Sequence, residues 1–257
     1  MRINNNISAL NTYRQMGVNQ NANAKAMEKL SSGMRINRAG DDAAGLSISE
    51  KMRSQIAGLE QAQQNAQDGI SYIQTAEGAL TEVSSMLTRM KELAVQKANG
   101  TYNADDIENI DLELDALTTE INNIVDTTKF NGMEVFKEDI EVAISHDGGV
   151  KLEVAAATLD KTIALTRDSD AAAIDEAINE INLQRATYGA SQNRLEHTIN
   201  NLGATHENLS AAESRVRDTD MAKEMMEFTR SNILNQAAHS MLAQANQQPQ
   251  GVLSLLR

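Results

Sequence analysis

The sequence predicts a mainly α protein, an elongated bundle of long coiled-coil-like helices drawn from both chain ends, with a small central β-hairpin region. Three observations predict it. Small and apolar residues recur at alternating steps of three and four over three long stretches. The 257 residues include no Trp, three Phe and four Tyr, so the core must be built from Leu, Ile, Val, Met and Ala, which pack well between helices. Only a short central segment alternates with the period of two that strands require.

The longest seam runs through Leu59, Ala62, Ala66, Gly69, Ile73, Ala76, Leu80, Val83, Leu87, Met90 and Ala94. At 1.5 Å per residue a helix of about 40 residues would be roughly 60 Å long. Asn99-Gly100 breaks it, and the formal glycosylation acceptor Asn99-Gly100-Thr101 is assigned to that turn. The spacing resumes at Ile107, Ile110, Leu114, Leu117, Ile121, Ile124 and Thr128, a second helix able to fold back on the first, and Phe130-Asn131-Gly132 ends it. Ile174, Ala177, Ile181, Gln184, Tyr188, Ser191, Leu195, Thr198, Leu202, Thr205, Leu209 and Ala212 repeat the pattern in a third. The bundle is therefore assigned to residues 45–132 and 168–219.

Residues 133–167 differ. Glu141–Ser145 and Val150–Val154 alternate about His146-Asp147-Gly148-Gly149, which predicts a hairpin, and Thr162–Thr166 is read as a third short strand. The two ends, residues 1–44 and 220–257, form separate terminal helices. Ile3, Ile7, Leu10 and Val18 sit at near-helical spacing in an Asn-rich stretch of poor helix propensity. Ile233, Leu234, Ala237, Ala238, Met241, Leu242 and Ala245 form an apolar stripe, followed by Val252, Leu253, Leu255 and Leu256. Either these end helices pair with each other, or they stay disordered until other subunits cover them.

A net charge of −13 and a pI near 4.8 exclude the basic face that nucleic acid or an anionic membrane surface demands. The charge is uneven: residues 1–53 carry about +4 and the rest about −17. Without Cys there is neither disulfide nor thiolate nucleophile. The first residues lack the apolar core of a secretory signal peptide, and no run reaches membrane-helix length. That pattern fits a cytoplasmic protein, or one exported by a dedicated apparatus without a cleaved signal.

Candidate chemistry is sparse, and no catalytic, cofactor or metal residue is assigned. His146, His197, His206 and His239 fall in no metal-ligand spacing, and His197 and His206 are read as surface residues. Asp41-Asp42 marks a turn and helix start rather than a carboxylate pair for metal. Gly33, Gly40 and Gly45 read as hinges around a loop, not a phosphate cradle. Met221, Met225 and Met226 resemble an adaptable binding surface, but helical spacing assigns them to core packing.

Residues 28–52, from Glu28-Lys29-Leu30-Ser31-Ser32-Gly33 to Ser49-Glu50-Lys51-Met52, closely resemble the N-terminal signature of bacterial flagellin. The likeness continues through Gln67–Ile70, Thr75–Leu80, Lys91–Gln96 and Phe130–Gly132, and again through Ser191–Leu195, Asn208–Val216 and Ala245–Gln250. The resemblance implies a filament subunit for swimming motility, with no enzymatic activity. Its ends would form the filament core, using Ile3, Ile7, Leu10, Ile233, Leu234, Met241, Leu242, Val252, Leu253, Leu255 and Leu256. The hairpin at 133–167 would stand where longer relatives carry projecting outer domains.

The same resemblance implies export unfolded through the flagellar type III channel, a secretion chaperone on about residues 210–257, cap and hook-associated junction proteins as partners, and an extracellular filament. A subunit-interface patch of Arg89, Leu93 and Glu113 is implied too, sharing features with the surface that the flagellin-sensing Toll-like receptor detects on monomer. The match over residues 28–96 favours a filament subunit over a hook–filament junction protein, and some 35 central residues leave no room for a catalytic insert.

Overall fold

The computed structural model describes residues 6–255 apart from 158, 160, 161, 163, 167 and 168, with side chains described as far as 247. The helices are α1 (Ile7–Ser32), α2 (Ala43–Lys97), α3 (Ala104–Thr127), α4 (Ala171–Arg217) and α5 (Met221–Leu255). Between α3 and α4 lie β1 (Lys129–Phe130), β2 (Met133–Glu134), β3 (Ile140–Ala143) and β4 (Lys151–Val154), paired as two antiparallel hairpins. The chain divides into two compact units, residues 1–54 with 209–257 and residues 55–208.

In the 55–208 unit the buried faces of α2, α3, α4 and both hairpins form one cluster. The α2 seam is buried as its spacing predicts from Leu59 to Met90. It then steps three residues to Leu93 and leaves Ala94 half-buried. From α3 come Ile110, Leu114, Ile121 and Val125, and from α4 Ile174, Ala177, Ile181, Tyr188 and Leu195. α3 begins before its first apolar residue because Asn103 caps it: Asn103 Oδ1 accepts from the Asp106 N–H at 2.7 Å, in a reciprocal capping box with the Asp106 carboxylate.

Asn131-Gly132 does more than stop α3. Asn131 (φ 51°) and Gly132 (φ 85°) make a two-residue turn between β1 and β2, with Phe130 opposite Met133. Two consecutive positive φ angles are the type I′ geometry that Asn-Gly adopts readily. The second hairpin matches its predicted strands: Val142 faces Leu152 across the ladder, both are buried, and Glu141, Lys151 and Glu153 point to solvent. Its seat on α2 is made of small residues. A Cβ on Gly58 would lie 2.4 Å from the His146 carbonyl oxygen, and one on Gly69 2.9 Å from Val142. Asn65 Nδ2 donates to the Ala143 carbonyl at 3.2 Å, and Tyr72 Oη to that of Val135 at 2.9 Å. Burial pushes the phenol pKa values of Tyr72 and Tyr188 up.

The third strand read at Thr162–Thr166 is not formed among its described residues. Thr162 is helical, its N–H and Oγ1 both donate to Glu180 Oε2 at 3.1 Å, and Leu165 N–H returns to the Thr162 carbonyl. Those backbone groups are engaged locally, so no ladder with β4 is available to them.

The other unit also differs from the predicted division, with its boundaries near 54 and 209 rather than at 44 and 220. The cause is a joint between the loop after α1 and the end of α4. Gly33 closes α1 with φ 71°, Arg35 N–H donates to the Arg217 carbonyl at 2.7 Å, and Thr219 N–H to that of Gly33 at 3.0 Å. Ser49 Oγ donates to Glu213 at 2.8 Å. The opening turns of α2 and the closing turns of α4 are thereby tied to this unit.

Asp41-Asp42 is a turn and a helix start, as read from sequence. Asp41 Oδ2 accepts from the N–H of Arg38 at 3.0 Å and of Asn37 at 3.3 Å, and these bonds, the Arg38 one foremost, hold its carboxyl below the ordinary value. Asp42 Oδ1 caps α2 through the Gly45 N–H at 2.8 Å.

Candidate assembly surface

The terminal helices α1 and α5 pair with each other, the first of the two arrangements left open by their sequences. Asn6 Nδ2 donates to the Ala245 carbonyl at 2.7 Å, and Lys29 lies 3.6 Å from Glu224. Low numbers meet high ones, so the pair is antiparallel. Its ends are capped by Asn6, which accepts from Ala9 N–H, and by Asp220, which accepts from the N–H groups of Ala222 and Lys223.

The seam between the two helices is not the apolar stripe. On α1 one row of less exposed positions is Ala9, Thr12, Met16, Asn19, Asn23, Ala26 and Leu30. On α5 the corresponding row is Glu224, Phe228, Ser231, Asn235, Ala238, Leu242 and Ala245. Both sets follow steps of three and four, the geometry of two helices packed side by side. Only Ala26, Ser231 and Ala245 among them are fully buried, since small and polar groups let the backbones approach while closing little apolar surface.

Apart from Met16, Leu30, Phe228 and Leu242 in the seam, the larger apolar residues described on these helices face outward. Ile7 is 66% and Ile233 60% exposed, and Leu10, Tyr13, Val18, Leu234 and Met241 also stand in solvent. Leu242 alone of the described core-packing residues turns half inward. Ile3 and the side chains of Val252, Leu253, Leu255 and Leu256 lie outside the described residues. Met221, Met225 and Met226 correct their assignment to core packing: all three are exposed, because the seam of α5 runs through Glu224 and Phe228 beside them. Burying one such side chain completely is worth about 1.5–3 kcal/mol, so this two-sided face is a large reserve of unspent hydrophobic contact.

A second candidate region lies on α2 and α3. Arg89 Nε donates to Glu113 Oε1 at 2.9 Å and Nη1 to Glu92 Oε2 at 3.1 Å, with both ends of the first pair about half exposed. Exposed pairs of this kind contribute about 0–1 kcal/mol, so they shape a surface more than they hold the fold. Leu93 does not join them. It is 2% exposed, occupying the core position that the α2 seam reaches three residues after Met90, while the long Arg89 stem carries its guanidinium out to Glu113. Of Arg89, Leu93 and Glu113, only the two charged residues are therefore at the surface of the free chain. His197 is exposed as read, and His206 is half-buried.

Among the described residues no three His, Asp or Glu side chains are grouped to hold a metal, and no helix is long and apolar enough to cross a membrane. A bundle that closes its own core while the terminal helix pair turns its apolar residues outward defines the class: a helical structural protein with surface reserved for packing against other chains.

Comparison with known proteins gives the family. Residues 3–140 match the bacterial flagellin N-terminal helical region and residues 171–256 the bacterial flagellin C-terminal helical region. The chain is 54% identical over its full length to a flagellin of Halalkalibacterium halodurans and 52% identical to a flagellin of Bacillus subtilis, each also covered completely. It is 46% identical, again over both full lengths, to the flagellar filament 33 kDa core protein of Treponema phagedenis. The chain belongs to the bacterial flagellin family: it is a structural subunit of the flagellar filament and not an enzyme.

Proposed function

We propose that the subunit polymerises through the outer faces of the α1/α5 pair, which pack against the same faces of neighbouring copies to build the filament core. The observation carrying this reading is that Ile7, Leu10, Ile233, Leu234 and Met241 face solvent while the seam between the helices mixes Asn, Thr, Ser and Ala with only Met16, Leu30, Phe228 and Leu242 as large apolar residues. A lone chain gains little from that arrangement, whereas a polymer covers the face on every side.

Before assembly the same face needs a cover. A secretion chaperone on about residues 210–257 supplies it, and the subunit then travels unfolded through the flagellar type III channel, without a cleaved signal, to add beneath the cap beyond the junction proteins. The bundle surface around Arg89 and Glu113 makes lateral contacts between copies. Recognition of monomer by the flagellin-sensing Toll-like receptor would use that charged pair, with Leu93 acting only as support from the core.

Seeded polymerisation of purified monomer tests the main reading. The Ile233→Asp, Leu234→Asp double variant is expected to keep the wild-type melting of its bundle and to lose elongation. Elongation at the wild-type rate would show that the face lies outside the polymer contacts.

A further inference from the structure

We infer that Met225 and Met226 form an oxidation site at which peroxide blocks subunit packing; this rests on the assignment of the α5 outer face to that packing. The two side chains are 50% and 67% exposed. With Thr229, Arg230, Ile233 and Leu234 they line a shallow, largely apolar depression of about 500 Å³ on one side of α5. Arg230 is engaged by Glu227, one turn back, at the edge of this depression. The sulfurs therefore sit where a neighbouring chain would make apolar contact, yet in the free subunit they stand open to small solutes.

Composition sharpens the point. The chain holds no Cys and no Trp, so no thiol competes for a two-electron oxidant and its thioethers are the most readily oxidised side chains. Of the twelve Met, position decides which react and which matter: Met90 is 0% exposed inside the bundle core, Met27, Met133, Met221, Met225, Met226 and Met241 are open, and of these Met225 and Met226 line the depression. The thioether sulfur attacks one oxygen of hydrogen peroxide, the O–O bond breaks as the S–O bond forms, and the proton on the attacked oxygen passes through solvent to the departing hydroxide, which leaves as water. Sulfur is oxidised by two electrons and the peroxide is reduced by two. The product is a polar, chiral sulfoxide in place of a flexible apolar chain end.

In the monomer that sulfoxide is hydrated and harmless. Packing a second copy over the depression strips water from the sulfoxide, a cost that apolar methionine does not incur. The oxidised subunit is thus disfavoured for addition while its fold is untouched. Methionine sulfoxide reductase chemistry returns the site to its starting state.

The test treats full-length monomer with hydrogen peroxide, maps oxygen addition at each Met by peptide mass spectrometry, and measures seeded elongation before and after treatment. Met225 and Met226 are expected to oxidise well ahead of Met90, and elongation to fall roughly tenfold, equivalent to about 1.4 kcal/mol of lost contact. Sulfoxide reductase should restore it. Within the Met225→Leu, Met226→Leu variant the ratio of treated to untreated elongation should rise well above that of wild type, the remaining loss coming from the exposed Met221 and Met241 of the same helix.

Equal fold-losses in wild type and variant, or full oxidation of both residues with elongation unchanged, overturn the inference. Failure of the underlying assignment looks different, because the Ile233→Asp, Leu234→Asp variant would then elongate normally. If the variant elongates too slowly for a ratio, recovery of wild type by reductase in step with repair at 225 and 226 decides the matter; recovery that tracks other methionines overturns it.

Discussion

Arg217 Nη1 donates to Glu50 Oε1 at 2.6 Å, joining the last turn of α4 to the early part of α2. The same nitrogen reaches Ser49 Oγ at 3.3 Å, and the guanidinium is mostly buried. The Arg217 hydrogen bond holds the Glu50 carboxyl below its ordinary value of 4.5. A carboxyl depressed in the folded state adds stability that is present above the unfolded value and is lost as pH falls through the folded one. The joint should therefore weaken below about pH 4.5, and the melting temperature of wild type should fall more steeply between pH 5 and 3 than that of Glu50→Gln. Parallel melting curves for the two proteins across that range would remove the pair from the account.

Two glycines of α2 make opposite predictions. Gly58 touches the His146 backbone, and the carbonyl there has no freedom to yield without moving the hairpin, whereas nothing lies within 4 Å of a Cβ on Gly78. Gly58→Ala should cost about 1–3 kcal/mol as an overpacked contact. Gly78→Ala, in the open helix interior, should gain about 0.4–1 kcal/mol. Chemical denaturation of both variants checks the pair, and effects of the same sign would mean the hairpin does not rest on Gly58.

Core and surface leucines are likewise separable. Leu87 and Leu93 are buried in the cluster, and Leu112 on α3 is 63% exposed. Leu87→Ala and Leu93→Ala should each cost about 2–5 kcal/mol, and Leu112→Ala should stay within about 0.5 kcal/mol of wild type. A change at Leu93 as small as that at Leu112 would restore it to the surface beside Arg89.

These cases mark what sequence alone makes legible. The α2 seam from Leu59 to Met90 was readable because one strict period with apolar residues has one burial solution. Its end was not, since Leu93 and Ala94 both satisfy a 3.5-residue repeat and only packing chooses the larger. Asn131-Gly132 looks like a simple helix stop in the sequence because its flanking strands are two residues each, too short to alternate visibly. The outward face of α5 was legible as an apolar stripe, through Ile233, Leu234 and Met241. What faced the partner helix was hidden, because Thr12, Asn19, Asn23, Ser231 and Asn235 carry a heptad pattern that hydrophobicity does not register. Once that seam takes Glu224 and Phe228, helix geometry alone sends Met225 and Met226 outward.

The polar seam leads to the last prediction. Asn235 Oδ1 is buried and accepts no hydrogen bond among the described residues. A buried acceptor left unsatisfied costs about 1–3 kcal/mol, and Leu keeps the branched four-atom outline of Asn without that group, its extra bulk falling at a half-buried position with room toward solvent. Asn235→Leu should therefore strengthen the α1/α5 pair by about 1 kcal/mol, slowing hydrogen exchange of the α5 amides about fivefold. The bundle core is built from other residues, so exchange at α2 positions such as Leu80 and Leu87 should not change. Exchange measured by mass spectrometry on wild type and variant separates the two regions. Unchanged or faster exchange in α5 would mean that Asn235 is satisfied in solution, and that the weakness of the terminal pair has another origin.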